Sequence, residues 1–570
     1  IFPRIDRGCG PAGGRTNSET GMPSLNTQSV PGSQYASGTP HQEHSMETNL
    51  MKVRSVFLIA MLIVAPGLLL GQAGNTLVVH ADAGKDTISK FIYGQFAEHL
   101  GHGIYGGLWV GENSAIPNTR GIRTDVLDAL RKIKVPAIRW PGGCFADEYH
   151  WRDGIGARAS RPRMVNSNWG GVTEDNSFGT HEFMDLCEQL GSEPVICGNI
   201  GSGSVKEMAD WVQYMTSAGE NPMSTLRRSN GRNAPWNVRF WCVGNETFGC
   251  GGIMDAAHYA NEFARYSFFL KDFDGNRLYK ISSGGLPEDY AWTETIMKKW
   301  RETDGWLQGF LSGYSLHYYT VDDWNHKGSA TAFEERDWFT SLSRTLKMEE
   351  LIQRHSAIMD TYDAGKRIGL IVDEWGNWFD VEPGTNPGFL FQQNTLRDAV
   401  VAAVNLNLFH KYCSRVKLTS IAQMVNVLQA MILTRDKEML LTPTYYVYKM
   451  YTVHQDAVML PVDLQSGTCT NGGKTIPALS ASASRDKNGK VHLSIANLDP
   501  AHPQKVRCTL AGVKATAVTG EIIAGAAMNA HNEFGKPEAV TITPFKGATV
   551  ENGVVTVTLP AHAVVTLELR

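Results

Sequence analysis

The chain has 570 residues, 42% of them hydrophobic, which is more than one core usually holds and enough for two folded domains. Its 53 Lys and Arg against 57 Asp and Glu leave a net charge of -4, so charge gives no reason to expect nucleic acid or a membrane surface as partner. A small neutral ligand suits that balance better.

Residues 1–50 lack an initiator Met and are rich in Gly, Ser, Pro, Thr and Asn, so they read as an upstream or disordered extension. From Met51, "MKVRSVFLIAMLIVAPGLLLGQAG" sets Lys52 and Arg54 ahead of an apolar stretch from Val56 to Leu70 and a small-residue site at Gly71 and Ala73. That order is a secretory signal over 51–73 and predicts a secreted or periplasmic protein. A transmembrane anchor is the alternative, but the stretch is shorter than the ~20 residues a span needs, so no stable membrane anchor is expected. With Cys9 set aside, Cys144, Cys187, Cys197, Cys242 and Cys413 lie within or beside apolar segments and form no C-x-x-C pair. Buried free thiols are expected, and a zinc site is not.

Residue 74 onward carries the fold. "NTLVVHAD" (75–82) alternates apolar and polar residues. Between 91 and 435 one pattern then recurs: a short apolar run, a polar or Gly-rich end, and a stretch of helical period. The runs are "FIYGQFAE" (91–98), "PAIRWPGG" (136–143), "EPVICGNIG" (193–201), "VRFWCVGNE" (238–246), "LYKISSGG" (278–285), "GYSLHYYT" (313–320), "IGLIVDEWG" (368–376) and "TSIAQMVNV" (419–427). Helices are expected over "TDVLDALRKIK" from 124, with Thr124 as N-cap and Val126, Leu127, Leu130 and Ile133 on one face, and from 181, 205 and 256. Eight strands alternating with helices predict an α/β fold, a (β/α)8 TIM barrel.

In such a barrel the C-terminal ends of the strands meet at one mouth, where active sites are built. The polar residues there are Glu98, Arg139, Asn245 with Glu246, His317 with Tyr319, Asp373 with Glu374, and Gln423. An acid directly after "WCV" is costly to bury unpaired, so Glu246 argues for a ligand or a charged neighbour. Glu374 repeats the arrangement after "IGLIV", on a strand across the mouth. Either glutamate alone could be a structural ion pair. Two facing carboxylates are the minimum for glycoside hydrolysis, one protonating the leaving oxygen and the other attacking the sugar carbon or activating water.

Other signals are weaker. Asn245-Glu246-Thr247 matches a glycosylation acceptor but lies inside the expected mouth, "GNIGSGS" lacks the Lys of a P-loop, and His99 and His102 beside Glu98 form no H-x-H or H-E-x-x-H metal motif. Trp109, Trp140, Trp169, Trp324 and Trp375 are candidates for stacking on sugar faces or for ordinary packing.

The region 436–570 changes pattern. "KVHLSIANLD" (490–499), "QKVRCTLAG" (504–512), "KATAVTGEIIAG" (514–525), "EAVTITPF" (538–545), "GVVTVTLP" (553–560) and "AVVTLELR" (563–570) alternate in period two between turns, which predicts a C-terminal antiparallel, jelly-roll-like β-sandwich. The segment 74–90 is expected to supply it with an N-terminal strand.

"FIYGQFAEHLGHGIYGGLWVGENSAIPNTRGIR", "IRWPGGCFADEYHWRDGIG", "DNSFGTHEF", "WCVGNETFG", "VDEWGNW" and "AQMVNVLQAMI" occur in this order, and the chain from 74 to 570 resembles the α-L-arabinofuranosidases of glycoside hydrolase family 51. The resemblance implies Glu246 as general acid and base and Glu374 as nucleophile of a retaining, exo-acting enzyme. It further implies Asn245 on the sugar 2-hydroxyl, Glu98 and Gln423 on other hydroxyls, and Tyr319 as a hydrogen-bond donor to the nucleophile. Arg139 would sit beside Glu374, Trp378 would wall the sugar, and Cys144 stands where the family has a small polar or thiol residue touching it. A retaining enzyme needs its carboxyls about 5–5.5 Å apart, with Glu374 ionised beside cationic Arg139 and Glu246 starting protonated. No cofactor is implied. The expected substrates are arabinose-containing hemicellulose or pectin side chains and oligosaccharides, and homo-oligomers are common in the family. The alternatives are a β-xylosidase or endoglucanase with the same carboxylate pair, a non-catalytic carbohydrate-binding barrel, and a metal-dependent amidohydrolase.

Overall fold

The computed structural model describes residues 74–303 and 309–570; the extension 1–50 and the expected signal segment 51–73 lie outside them. Eight parallel strands close into a barrel in chain order: Gly94–Phe96, Ala137–Trp140, Glu193–Gly198, Phe240–Val243, Tyr279–Ser282, Gly313–Thr320, Gly369–Asn377 and Val416–Ile421. The closure pairs Ile421 with Gln95. These strands are almost wholly buried because parallel strands in a barrel are covered on both faces, which is why they read as apolar runs. Their side chains still alternate. Val195, Cys197, Phe240, Cys242, Ile281, Ile371 and Leu418 fill the interior, while Ile196, Trp241, Val243, Leu370 and Val372 face the helices.

Helices Thr124–Lys132, Thr180–Leu190, Val205–Thr216 and Ala256–Phe269 form part of the outer layer. In the first, Val126, Leu127, Leu130 and Ile133 are buried as expected, but Thr124 is not the cap. It is the first helical residue, and the N-cap position falls to Arg123, which makes no side-chain cap.

The eighth strand also differs from expectation, running over Val416–Ile421 rather than 419–427. Ala422, Met424, Val425, Val427 and Leu428 are apolar because they are buried in a turn folded over the barrel end, with Gln423 N–H bonded to Val427 O at 3.0 Å. An apolar run marks burial before it marks a strand.

Beside a separate hairpin of Thr468–Asn471 and Lys474–Pro477, the C-terminal region forms a sandwich of two sheets. One orders Val462–Gln465, Asn75–His80, Gln504–Ala511, Val554–Leu559 and Ala548–Glu551; the other orders Val458–Leu460, Leu479–Arg485, Val491–Asn497, Val564–Leu569, Val518–Ile523 and Thr543–Pro544. All pairings are antiparallel except that of Asn75–His80 with Gln504–Ala511, which is parallel. Of "EAVTITPF" only Thr543–Pro544 pairs, because Asn532 takes Val540 out of the ladder: its amide donates to Val540 O and accepts from Val540 N–H, each at 2.9 Å.

Barrel and sandwich meet along helix Leu396–Lys411, which is buried from Leu396 to His410. His410 lies between Tyr93 Oη (2.7 Å) and Ser482 Oγ (2.9 Å), and His454 between Ser484 Oγ (2.7 Å) and Ser494 Oγ (2.8 Å). Burial among hydroxyl partners pushes His410 down to about 3, and burial, followed by the neighbouring His410 and His492 rings, pushes His454 well below its ordinary value.

Candidate active site

Arg139 precedes the last residue of the second barrel strand, and strand alternation turns it inward, where it is 1% exposed. Its guanidinium holds three neighbours. Nη1 donates to Glu374 Oε1 at 2.8 Å, Nη2 donates to Asn245 Oδ1 at 2.6 Å, and Nε lies 3.3 Å from Asp373 Oδ2. A planar fork suits this better than a Lys point charge. Glu374 and Asp373 are adjacent residues of the seventh strand, both buried. Tyr319 Oη donates to the other Glu374 oxygen at 2.8 Å, and its ring meets Trp378 edge-on at 5.1 Å.

His317 joins the carboxylates. Its Nδ1 is 3.0 Å from Glu246 Oε1 and 3.5 Å from Glu374 Oε2, and its Nε2 is 3.4 Å from Asp373 Oδ1. Burial works against the charged ring, but Glu374 and Asp373 outweigh it and hold His317 well above its ordinary value. Conversely, burial alone would raise Asp373, yet Arg139 and His317, with Ser315 Oγ donating to it, hold it below the usual carboxylate range. One carboxylate oxygen from each of Glu246 and Glu374 and one His317 nitrogen all lie within 4.8 Å of one another.

Glu246 follows the fourth strand with a positive φ of 40°, a conformation a non-glycine residue rarely adopts. The turn is built by Gly244, at φ 87°, where a Cβ would come 2.3 Å from Ile200, and by Gly249 N–H bonding back to Glu246 O at 2.7 Å. Asp147 anchors the base of the turn. Its Oδ2 accepts from Asn245 N–H (3.1 Å), and its Oδ1 from the N–H groups of Ile200 and Gly201 (2.8 and 2.9 Å). Burial nevertheless lifts Asp147 to about 7.

Glu98 occupies the far side of the mouth. Oε1 accepts from Trp169 Nε1 (2.8 Å), Gly143 N (3.0 Å) and Phe145 N (3.2 Å), and Oε2 from Gln423 Nε2 (2.9 Å). Burial, then the charge of Glu374, raises it to about 7 against those hydrogen bonds. Gly143 is needed because a Cβ there would lie 2.9 Å from Glu374 Oε1.

The ten residues singled out in the sequence thus surround one mouth; one correction falls among the cysteines, and the tryptophans divide between packing and the mouth. Cys144 is not a free thiol: it is disulfide-bonded to Cys250, at a Cα separation of 5.5 Å, since the turn after Glu246 brings Cys250 over the end of the second strand. Cys187, Cys197, Cys242 and Cys413 are buried free thiols as expected, and Cys469 and Cys508 are free as well. Trp140 and Trp375 are fully buried and Trp109 nearly so, so these three pack rather than stack on sugar, whereas Trp169 bonds Glu98 and Trp324, 43% exposed, meets Trp378 at 5.5 Å. His99 is stacked on Phe145 at 4.7 Å. Sequence reasoning missed Asp147 and Cys250 and left Asp373 without a role. The run "CFAD" after the second strand and the Cys four residues beyond Glu246 were the available signals.

Sequence comparison adds to this geometry. A model of the α-L-arabinofuranosidase 1 domain matches residues 129–337, and one of the α-L-arabinofuranosidase C-terminal domain matches residues 373–563. An enzyme of Bacteroides ovatus named an intracellular exo-alpha-L-arabinofuranosidase is 53% identical over 88% of this chain and 96% of its own. This chain belongs to the α-L-arabinofuranosidases. A probable alpha-L-arabinofuranosidase C of Aspergillus niger is 30% identical over 82% of the chain and 94% of its own. Among solved structures, the glycoside hydrolase family 51 arabinofuranosidase of Xanthomonas axonopodis pv. citri superposes with a TM-score of 0.85 at 48% identity, covering 87% of this chain and all of that one. An arabinofuranosidase of Thermotoga maritima, in complex with arabinose, follows at 0.74 and 29%, covering 87% of this chain and 99% of that one. The family settles the reaction class as glycoside hydrolysis. It also corrects one expectation: the Bacteroides relative carries the word intracellular in its name, which points against the secreted or periplasmic location read from residues 51–73. Among the described residues, no helix is long and apolar enough to cross a membrane.

Proposed function

We propose that this arabinofuranosidase is a retaining, exo-acting enzyme that removes terminal α-L-arabinofuranosyl groups from hemicellulose or pectin side chains and their oligosaccharides. The observation that carries this reading is the clustering of one atom each of Glu246, His317 and Glu374 within 4.8 Å, which favours the close carboxyl pair of direct attack over the about 6.5–9.5 Å separation of an inverting pair. Glu374, oriented by Arg139 and Tyr319, attacks the anomeric carbon while Glu246 gives its proton to the leaving oxygen. Glu246 then takes a proton from water, which displaces Glu374 from the arabinosyl-enzyme ester.

Asn245, fixed by Arg139, is placed for the 2-hydroxyl, and Glu98 with Gln423 for the hydroxyls beyond it. A carboxyl near 7 is a donor or an acceptor at neutral pH, which lets Glu98 meet either face of a hydroxyl. Trp378 walls the sugar. Oligomerisation belongs to the same reading.

Release of 4-nitrophenol from 4-nitrophenyl α-L-arabinofuranoside tests these roles. Glu374→Ala is expected to lower kcat on the order of 10⁴-fold or more, since covalent chemistry is lost. Glu246→Ala is expected to recover with azide, which needs no general base. An inactive Glu246→Ala that azide leaves inactive, beside an active Glu374→Ala, overturns the assignment.

A further inference from the structure

The Cys144–Cys250 pair is the one disulfide among the described residues, and it lies in the mouth rather than in the sandwich. Cys250 Sγ is 3.8 Å from Glu246 Oε2 and 3.8 Å from Asn245 Nδ2. Cys144 follows Gly143, whose N–H holds Glu98. The cystine therefore joins the end of the second strand to the turn that carries Glu246, bridging the two sides of the sugar site.

Besides the cystine, that turn is held by Thr247 N–H on Ser283 Oγ (3.4 Å), Met254 N–H on Thr247 O (2.7 Å) and the Phe248 ring edge-on to Trp292, and its outer end is open to solvent. Its base is pinned by Asp147 and by backbone bonds to Glu246 O, but Ile253, three residues past the cystine, is 85% exposed. Glu246 meanwhile holds a left-handed backbone conformation that the surroundings must enforce. Both bridged cysteines are partly exposed, whereas five of the six free ones are buried. Thiol–disulfide exchange needs such access.

We propose that the Cys144–Cys250 cystine is a reductant-sensitive strut that positions Glu246 for proton transfer, so that a dithiol reductant switches the enzyme to a less active form. The thiolate of the dithiol attacks one cystine sulfur, breaking the S–S bond, forming a mixed disulfide and releasing the other cysteine as a thiolate that takes up a proton. The second thiol of the reductant then displaces the enzyme's remaining sulfur. The cystine gains two electrons and two protons, and the dithiol leaves as its own disulfide. Cystines persist in oxidising surroundings and open in reducing ones, so the state of the strut would report the redox poise around the enzyme. The proposal rests on Glu246 being the acid and base.

Positioning of an acid matters most when the leaving group needs its proton. The full chain is treated with dithiothreitol, its thiols are counted in denaturant, and kcat is measured on an arabino-oligosaccharide and on 4-nitrophenyl α-L-arabinofuranoside. Two additional thiols are expected, with oligosaccharide turnover down roughly tenfold, the nitrophenyl rate down less than about twofold, and both restored by reoxidation. Cys250→Ser and Cys144→Ser should each reproduce the reduced pattern and ignore the reductant. No added thiols, unchanged rates, or an equal loss on both substrates overturns the strut. Glu246→Ala on the same two substrates separates the readings. If it strikes both equally, the acid assignment fails; if it discriminates between them and reduction does not, the strut alone fails.

Discussion

Two parts of this molecule bury histidine, and they treat it in opposite ways. At the barrel mouth His317 sits among Glu246, Asp373 and Glu374 and is held well above its ordinary value. At the seam between barrel and sandwich His410 and His454 are as deeply buried, yet their partners are hydroxyls and both are pushed down. Burial alone therefore does not set protonation. The charge of the partners does, and it separates a site built to move a proton from a joint built to stay neutral.

The largest effect expected from this contrast is at the mouth. His317→Asn removes the cation facing three carboxylates, and kcat should fall roughly 10- to 100-fold as Glu246 and Glu374 lose their common partner. His410→Asn at the seam should leave kcat within about twofold, given that its effects pass through stability. Equal losses at both sites would dissolve the distinction.

The next effect is on stability against pH. Unfolded histidine takes up a proton near 6.5, while folded His410 resists until about 3, so stability falls as pH drops below about 6.5, by up to about 1.4 kcal/mol per pH unit for each such ring. Glu98 and Asp147 act the other way. Folded, they keep protons up to about 7 that the unfolded chain releases near 4, so they favour the folded state below about 4 and lose that contribution as pH rises through 7. Urea midpoints at pH 7 and 5 for wild type and His410→Asn should show a smaller acid loss in the variant; an unchanged difference refutes the neutral seam.

The smallest effect is at an exposed pair. Lys206 Nζ and Asp210 are 2.8 Å apart one helical turn from each other, the same separation as Arg139 and Glu374, but Lys206 is 81% exposed. Lys206→Ala should shift stability by less than about 0.5 kcal/mol, measured by thermal melting, and leave kcat unchanged. A larger shift would mean that distance rather than burial decides the worth of an ion pair here.

What could be read in the sequence follows the same division. Glu246 and Glu374 stand out because each ends an apolar run at a strand tip, and a buried run followed by a charge has few structural explanations. The inward turn of Arg139 follows from period-two alternation. Asp147 is not legible in this way: it acts through backbone N–H groups of Ile200, Gly201 and Asn245, which are distant in sequence and leave no residue-type signature. Cys250 is hidden for a similar reason, since its partner is fixed by a turn that only the folded barrel sets against Cys144. The turn over 422–428 passes for a strand because its backbone is enclosed by the mouth it helps to cover.

The strand Asn75–His80 has a consequence for how the protein is made. It lies inside its sheet, between Val462–Gln465 and Gln504–Ala511, with Asn75 opposite Val506. Translation at about 5–20 residues per second would deliver this segment first and its neighbours tens of seconds later. Until Val462–Gln465 is made the nascent chain carries an apolar strand with nothing to pair it, and ribosome-bound chains ending before residue 462 should depend on chaperones in a way that the finished enzyme does not.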